Sequence, residues 1–302
     1  NALYNLARAQ RDSGMLGEAA ESLRRMLDLS PTDVDAIRQL LAVLRRQRRY
    51  EEASRLCEHW IGVAPEDPVP RHIHAALAGS DSPERASDEY VRDVFDRFAD
   101  RFESDLRDLQ YRGPELLRRA LEKQYAEEKP LLDVLDAGCG TGLCAPILRP
   151  YARFLVGVDL SGNMVTKAGE KNAYDELHVA ELTGFLSSHN AAFDLIAAVD
   201  TLNYFGNLGP PLRAAAQALR PGGMTIFTVE EAANRDCEPY HLNANGRYSH
   251  GQSFVRECLG AAGFEMDELT HTVLRLEAGE PVNGMLFRAR SAGPVNRQAG
   301  AV

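Results

Sequence analysis

Residues Leu131-Leu132-Asp133-Val134-Leu135-Asp136-Ala137-Gly138-Cys139-Gly140-Thr141-Gly142 decide the fold. A short apolar run ends in an acid and passes directly into a glycine-rich turn, and apolar Leu143, Ile147 and Leu148 predict a helix after it. Glycine at 138, 140 and 142 lets the backbone turn tightly and approach a ligand where a Cβ would collide. The N-terminus of a helix then offers free N–H groups to an anion. A glycine-rich turn alone is a weak signal. The dinucleotide fingerprint G-x-G-x-x-G requires glycine at 143, where Leu143 stands, which argues against a nicotinamide or flavin cofactor.

Working outward, Phe154-Leu155-Val156-Gly157-Val158-Asp159 is a second strand ending in an acid about 20 residues downstream, where a carboxylate can accept both hydroxyls of an adenosine ribose. Leu160-Ser161-Gly162-Asn163-Met164 opens a helix capped by Ser161 or Asn163. A third strand near Leu177 to Ala180 ends at Glu181-Leu182, and Phe193 to Asp200 reads as a fourth. Leu219-Arg220-Pro221-Gly222-Gly223 reads as a helix end and turn before a fifth strand, Met224 to Val229. Strands alternating with helices imply an open, largely parallel sheet that binds its ligand at the carboxyl ends of the strands.

Asp136 to Gly142, Asp159-Leu160-Ser161-x-x-Met164 and Leu219 to Gly223, in this order and spacing, resemble the class I S-adenosylmethionine-dependent methyltransferases over roughly residues 90 to 290. The resemblance implies an α/β, Rossmann-like fold with a mostly parallel seven-stranded sheet, and S-adenosyl-L-methionine as cofactor. It implies that Gly138, Cys139 and Gly140 face the methionine part of the cofactor with Asp136 near its amino group. By the same resemblance Asp159 holds the ribose, Leu160 and Met164 pack on adenine, and Glu181 with Leu182 presents a carboxylate and a backbone amide to the adenine edge. Asp200, at the end of the fourth strand, is counted with these cofactor residues. The competing readings are strand-end capping for Asp136 and Asp159, and a solvated loop acid for Glu181. Cys139 is a small residue of the pattern rather than a nucleophile. Upstream, Phe95, Phe98 and Phe102 share one helical face. This stretch is similar to the helix that covers the cofactor in methyltransferases of the quinone-biosynthesis and malonyl-carrier type, which makes Phe98 and Phe102 cofactor-lid residues; the plainer reading is core packing.

A sulfonium methyl is already activated, so such a site chiefly aligns a nucleophile and excludes water, and a base is optional. Acceptor-side residues are expected in Asp200-Thr201-Leu202-Asn203-Tyr204-Phe205 and in the polar, aromatic stretch Tyr240 to His250. His250 is the candidate base, or else a cap for the helix that follows it. Tyr204 is the second catalytic candidate, Arg247 and Tyr248 are candidate acceptor contacts, and Arg275 either binds an acceptor carboxylate or pairs with Glu277. No metal site is expected.

The first quarter repeats itself. A shift of 34 places Leu3 on Ile37, Leu6 on Leu40, Leu16 on Tyr50, Ala19 on Ala53 and Pro31 on Pro65. Two helix-turn-helix units of this length, followed by a half unit around His72 to Ala78, resemble tetratricopeptide repeats. About three such units are needed for independent stability, so the sequence is expected to continue upstream of Asn1. The repeats are either a peptide-binding groove or a helical buttress. The run Arg45, Arg46, Arg48, Arg49 contacts an acidic peptide or is a solvated face, and His59, His72 and His74 are surface or packing residues. Gly79-Ser80-Asp81-Ser82-Pro83 marks the boundary. The expected organisation is therefore repeats over 1–79, connector and lid over 80–128, a methyltransferase domain over 129–290 and a flexible tail over 291–302.

Composition sets outer limits. The chain has 302 residues, 44% hydrophobic and 26% charged, enough to bury a core. A net charge of -10 disfavours nucleic acid and anionic membranes as partners. Five scattered cysteines without a Cys-x-x-Cys pair, and no apolar run long enough to span a bilayer, suit a cytoplasmic protein. The leading expectation is a methyltransferase acting on a small-molecule or carrier-bound acceptor. The alternatives are a protein methyltransferase recruiting its substrate through the repeats, and a non-catalytic cofactor-binding scaffold.

Overall fold

The computed structural model describes residues 2–79, 82–127, 130–233, 238–277 and 279–292; the expected tail beyond 292, Cys237, and Ser80 and Asp81 of the boundary lie outside them. The chain divides into two compact units, residues 1–83 with 242–247, and residues 84–241 with 248 onward.

The first unit holds α1 (Ala2–Asp12), α2 (Leu16–Leu29), α3 (Val34–Arg46), α4 (Tyr50–Val63) and α5 (Pro68–Ala78), each packed on the next. The 34-residue shift survives in detail. Asp33 and Asp67 cap α3 and α5 by accepting from Ala36 N and Val69 N, both at 3.0 Å. Ala19 and Ala53 are both 0% exposed, small enough for neighbouring helices to approach closely. Arg38 reaches Asp67 at 2.9 Å and lies over the buried Trp60 ring, tying successive repeats together. Of the basic run, Arg46 and Arg48 are exposed while Arg49 pairs with Glu52. His59 bonds Pro31 O at 2.8 Å, and buried His72 bonds Gly246 O at 2.9 Å within this unit.

The second unit begins with α6 (Asp88–Phe98), α7 (Phe102–Asp108) and α8 (Gly113–Gln124). Then β1 (Leu132–Ala137), β2 (Ala152–Asp159), β3 (Glu176–Val179), β4 (Phe193–Ala198) and β5 (Leu219–Glu231) alternate with α9 (Ala145–Leu148), α10 (Gly162–Glu170), α11 (Leu182–Ser187) and α12 (Gly209–Ala218). Short strands β6 (Tyr240–Leu242) and β7 (Tyr248–His250), helix α13 (Gln252–Ala261) and the long strands β8 (Phe264–Glu277) and β9 (Glu280–Ser291) follow. Strands β3-β2-β1-β4-β5 are parallel neighbours, and β9 runs antiparallel between β5 and β8. Buried clusters cover both sheet faces, one from α11, α12 and α13 and one from α8 and α9, which is why the central strands are apolar runs rather than alternating.

Three expectations need correction. The sheet has nine strands rather than seven, because part of the polar stretch after β5 pairs into β6 and β7, with β7 lying parallel to the end of β5. The helix after the glycine turn is one turn long, Ala145–Leu148, since Pro150 has no N–H to continue it. Leu219 caps α12 as expected of a helix end, but β5 already begins there rather than at Met224, with a register shift between Phe193 and Leu195. Among the described residues no helix is long and apolar enough to cross a membrane.

Candidate cofactor and methyl-transfer site

The glycine turn leaves β1 at the carboxyl edge of the sheet. Gly138, Gly140 and Gly142 have φ of 76°, 53° and 81°, a region where side chains other than glycine are strained. A Cβ on Gly140 would meet only the Phe102 ring, at 3.7 Å, so an open cradle lies between loop and lid. Gly138 N and Cys139 N both bond Val158 O, at 2.8 and 2.9 Å, which ties the turn to β2. Cys139 is buried and burial raises its thiol pKa, which disfavours the thiolate there.

Asp159, at the end of β2, accepts from Gly140 N and Ser161 N, both at 2.9 Å, so one carboxylate joins the two motif loops. Burial raises its pKa, and these backbone bonds oppose the shift. Each oxygen keeps acceptor capacity for a further hydroxyl. Asp136 is fully buried and accepts from the Tyr174 hydroxyl at 2.6 Å. Burial pushes its pKa up to about 7, the Tyr174 bond opposes this, and nearby Asp159 adds to it.

Ser161 caps α10, accepting from Met164 N at 3.1 Å. Met164 is fully buried, so of the two residues expected on adenine only Leu160 has accessible surface. Glu181 caps α11, accepting from Thr183 N at 2.9 Å and Gly184 N at 2.7 Å. Its carboxylate is engaged with its own helix, which leaves the amide of Leu182, the first helical residue, as the group without an intrahelical acceptor.

The aromatic stripe packs above this edge. Phe102 meets Phe95 and Phe98 at 6.1 and 6.4 Å between ring centres, and Phe95 meets Tyr204 edge-on at 5.3 Å. Acids on the same helices fasten it. Asp96 accepts from Ser161 Oγ at 2.5 Å, and Glu103 accepts from Thr141 Oγ1 at 2.9 Å and Lys171 Nζ at 2.7 Å. The signal for these residues in the sequence is that Asp93, Asp96, Asp100 and Glu103 recur at helical spacing beside the phenylalanines.

The acceptor-side expectations change most. His250 is 0% exposed, its Nε2 bonds Phe205 O at 2.8 Å, and burial lowers its pKa to about 4. It is neutral and enclosed rather than a solvent-facing base, and α13 has Gly251 as its cap residue. Tyr248 is also 0% exposed, with its ring against Tyr240, and Arg247 groups with the first unit. Arg275 is 2% exposed and engages Glu277, Glu230 and Asp200, so its guanidinium is committed to the protein and not open to an acceptor carboxylate. Tyr204 and Asp200 remain half-buried at the carboxyl ends of the strands, beside the glycine turn. The structure thus gathers Asp136, Gly138, Cys139, Gly140, Asp159, Leu160, Phe98, Phe102, Tyr204 and Asp200 at one edge, while His250, Tyr248 and Arg275 are interior.

The sequence pattern of the methyltransferase domain family matches residues 90–269. The ubiquinone biosynthesis O-methyltransferase of Thiobacillus denitrificans is 26% identical over 186 residues, covering 53% of this chain and 78% of that protein. The malonyl-[acyl-carrier protein] O-methyltransferase of Acetivibrio thermocellus is 25% identical over 190 residues, covering 56% of this chain and 67% of that protein. The fold matches that of magnesium protoporphyrin IX methyltransferase from Synechocystis PCC 6803, solved with bound SAH, with TM-score 0.53 and 18% identity over 67% of this chain and 98% of that one. Because the family match spans more than half of its length, the chain belongs to the methyltransferase domain family and is an S-adenosylmethionine-dependent methyltransferase.

Proposed function

We propose that the enzyme transfers a methyl group by in-line displacement to oxygen of a small-molecule or carrier-bound acceptor. The observation that carries the cofactor half of this reading is the Asp159 carboxylate bridging Gly140 N and Ser161 N, which presents an acceptor for ribose hydroxyls beside a glycine turn with room for a ligand. When bound, S-adenosylmethionine supplies an electrophilic methyl group. The protein's own residues do the rest: Asp159 orients the ribose, the glycine turn accommodates the methionine portion, Leu160 and the Leu182 amide meet adenine, and the Phe95-Phe98-Phe102 lid excludes water. Tyr204 is the group positioned to orient the acceptor, and Asp200 stands beside the cofactor loop. The names of the two relatives above, both O-methyltransferases, support oxygen as the atom methylated.

The 34-residue helix hairpins of the first unit favour one second reading, in which tetratricopeptide-type repeats bring a peptide or protein substrate to the enzyme. Incubating the full chain with cofactor labelled in its methyl group and cell extract separates the two. Label in small molecules or on a carrier's prosthetic group supports the first reading; label on protein side chains overturns it. Calorimetry with S-adenosylhomocysteine tests the cofactor half, where Asp159→Ala is expected to weaken binding at least tenfold, by about 1.4 kcal/mol or more.

A further inference from the structure

Asp200 lies two residues beyond β4 in a left-handed conformation, φ 58°, and three bonds hold it there. Its N–H donates to Thr228 Oγ1 at 2.8 Å, and its Oδ1 accepts from Asn203 and from Arg275 Nη1, the latter at 3.3 Å. Oδ2 makes no hydrogen bond among the described residues, and the side chain is 21% exposed. The next residue, Thr201, donates to Ala137 O at 2.8 Å and covers Gly138 so closely that a Cβ there would lie 2.3 Å from Thr201 Oγ1. The turn at 200–201 is therefore the wall against which the cofactor loop is seated.

Arg275 governs that wall from a distant strand. Besides Asp200 it engages Glu230, at the end of β5, and Glu277 at 2.8 Å. Asn203, the other donor to Asp200, also accepts from Glu230 N at 3.0 Å, which closes the network. The backbone on either side of Arg275 is stitched to the link between α7 and α8: Arg112 N bonds Leu274 O at 2.8 Å, and Leu276 N bonds Leu109 O at 2.7 Å. One buried guanidinium thus spans the ends of β4, β5 and β8 beside the root of the lid. A planar fork with five donors can serve three carboxylates at once, and a lysine ammonium on a flexible stem cannot hold the same geometry.

We propose that Arg275 is a positioning residue for methyl transfer that acts through Asp200: it fixes the 200–201 turn against Gly138 and leaves Asp200 Oδ2 turned to the ligand. The inference rests on the cofactor reading above. Its test uses the full chain and S-adenosylhomocysteine as probe, by calorimetry, with melting temperatures recorded alongside. Arg275→Lys and Asp200→Asn should each weaken binding about tenfold, and the double variant should bind no more weakly than the worse single one, because both changes interrupt the same link. Thr201→Val, which leaves every ion pair intact and so does not depend on Arg275→Lys folding, should weaken binding several-fold with little change in melting temperature. Additive losses in the double variant, or unchanged affinity in Thr201→Val, overturns the proposal while leaving the cofactor reading in place. A wild-type chain that does not bind the probe overturns both.

Discussion

The Tyr174 hydroxyl donates to the Asp136 carboxylate at 2.6 Å, and the Tyr174 ring packs against Gly142 at the end of the cofactor loop. Burial dominates that carboxylate and lifts its pKa from 3.8 to about 7, against the Tyr174 bond and with a contribution from Asp159. In the unfolded chain the same group ionises near its ordinary value, so between pH 4 and 7 the native state holds more protons. The Asp136 contribution to stability is therefore complete in acid and is lost as pH rises through about 7, by at most about 4 kcal/mol. Melting curves across this range should fall more steeply with pH in the wild type than in Asp136→Asn, which does not titrate. Tyr174→Phe should extend the fall above pH 7, since it removes the donor that favours the anion. Parallel slopes in the wild type and Asp136→Asn would show that the carboxyl is not perturbed.

The lid fasteners answer to salt and acid differently. Glu103 accepts from Lys171 and Thr141, and the Lys171 bond holds its carboxyl below the usual carboxylate range. A depressed carboxylate contributes stability above its ordinary pKa and loses it as pH falls through the folded value. Its side chain is 38% exposed and that of Lys171 30%, so the pair is screened and contributes only a few tenths of a kcal/mol to the fold. Glu103→Gln is expected to leave the melting temperature almost unchanged. It should raise the dissociation rate of S-adenosylhomocysteine several-fold, because the lid loses its ion pair with Lys171 at the end of α10, although an amide oxygen can still accept from Thr141. The wild-type rate should rise with ionic strength and the variant rate should not. Surface-immobilised protein in salt steps provides the measurement, and equal rates at every salt concentration would remove Glu103 from lid closure.

How far the sequence reveals this site depends on the kind of constraint acting at each residue. Gly138, Gly140 and Gly142 are legible because positive φ and ligand approach leave glycine few substitutes, and Asp159 because a strand-end acid at a fixed distance from that turn has a narrow set of uses. The 34-residue shift is legible because each repeat must present the same small residues and caps to its neighbours. Arg275 illustrates the opposite case. Its partners are Asp200 beyond β4, Glu230 on β5 and Glu277 on its own strand β8; only Glu277 is near in sequence, so sequence spacing points to one pair where packing makes a network of four. Burial is equally invisible: His250 and Tyr248 sit in a polar stretch that resembles a binding loop, yet pairing into β7 turns both inward. The position of Glu181 after β3 points to a ligand contact, and the nearer demand of two helix N–H groups claims its carboxylate.

His250 allows a sharp test of that distinction between an enclosed imidazole and a base. Its Nε2 donates to Phe205 O, its Nδ1 is buried without a hydrogen-bond partner among the described residues, and burial holds its pKa at about 4. The unfolded ring takes up its proton near 6.5, so the contribution of His250 to stability is full above that value and is lost as pH falls toward 4, by at most about 3 kcal/mol. His250→Gln keeps a side-chain donor for Phe205 O without a titrating group. The variant should melt somewhat below the wild type at pH 7.5 because its packing is poorer, and the difference should shrink or reverse near pH 4.5. Methyl transfer from labelled cofactor in extract should persist at pH 7 in the variant, since a ring with a pKa near 4 that is closed to solvent has no proton-accepting role to lose. Transfer abolished at pH 7 with the melting temperature intact would restore His250 as the base.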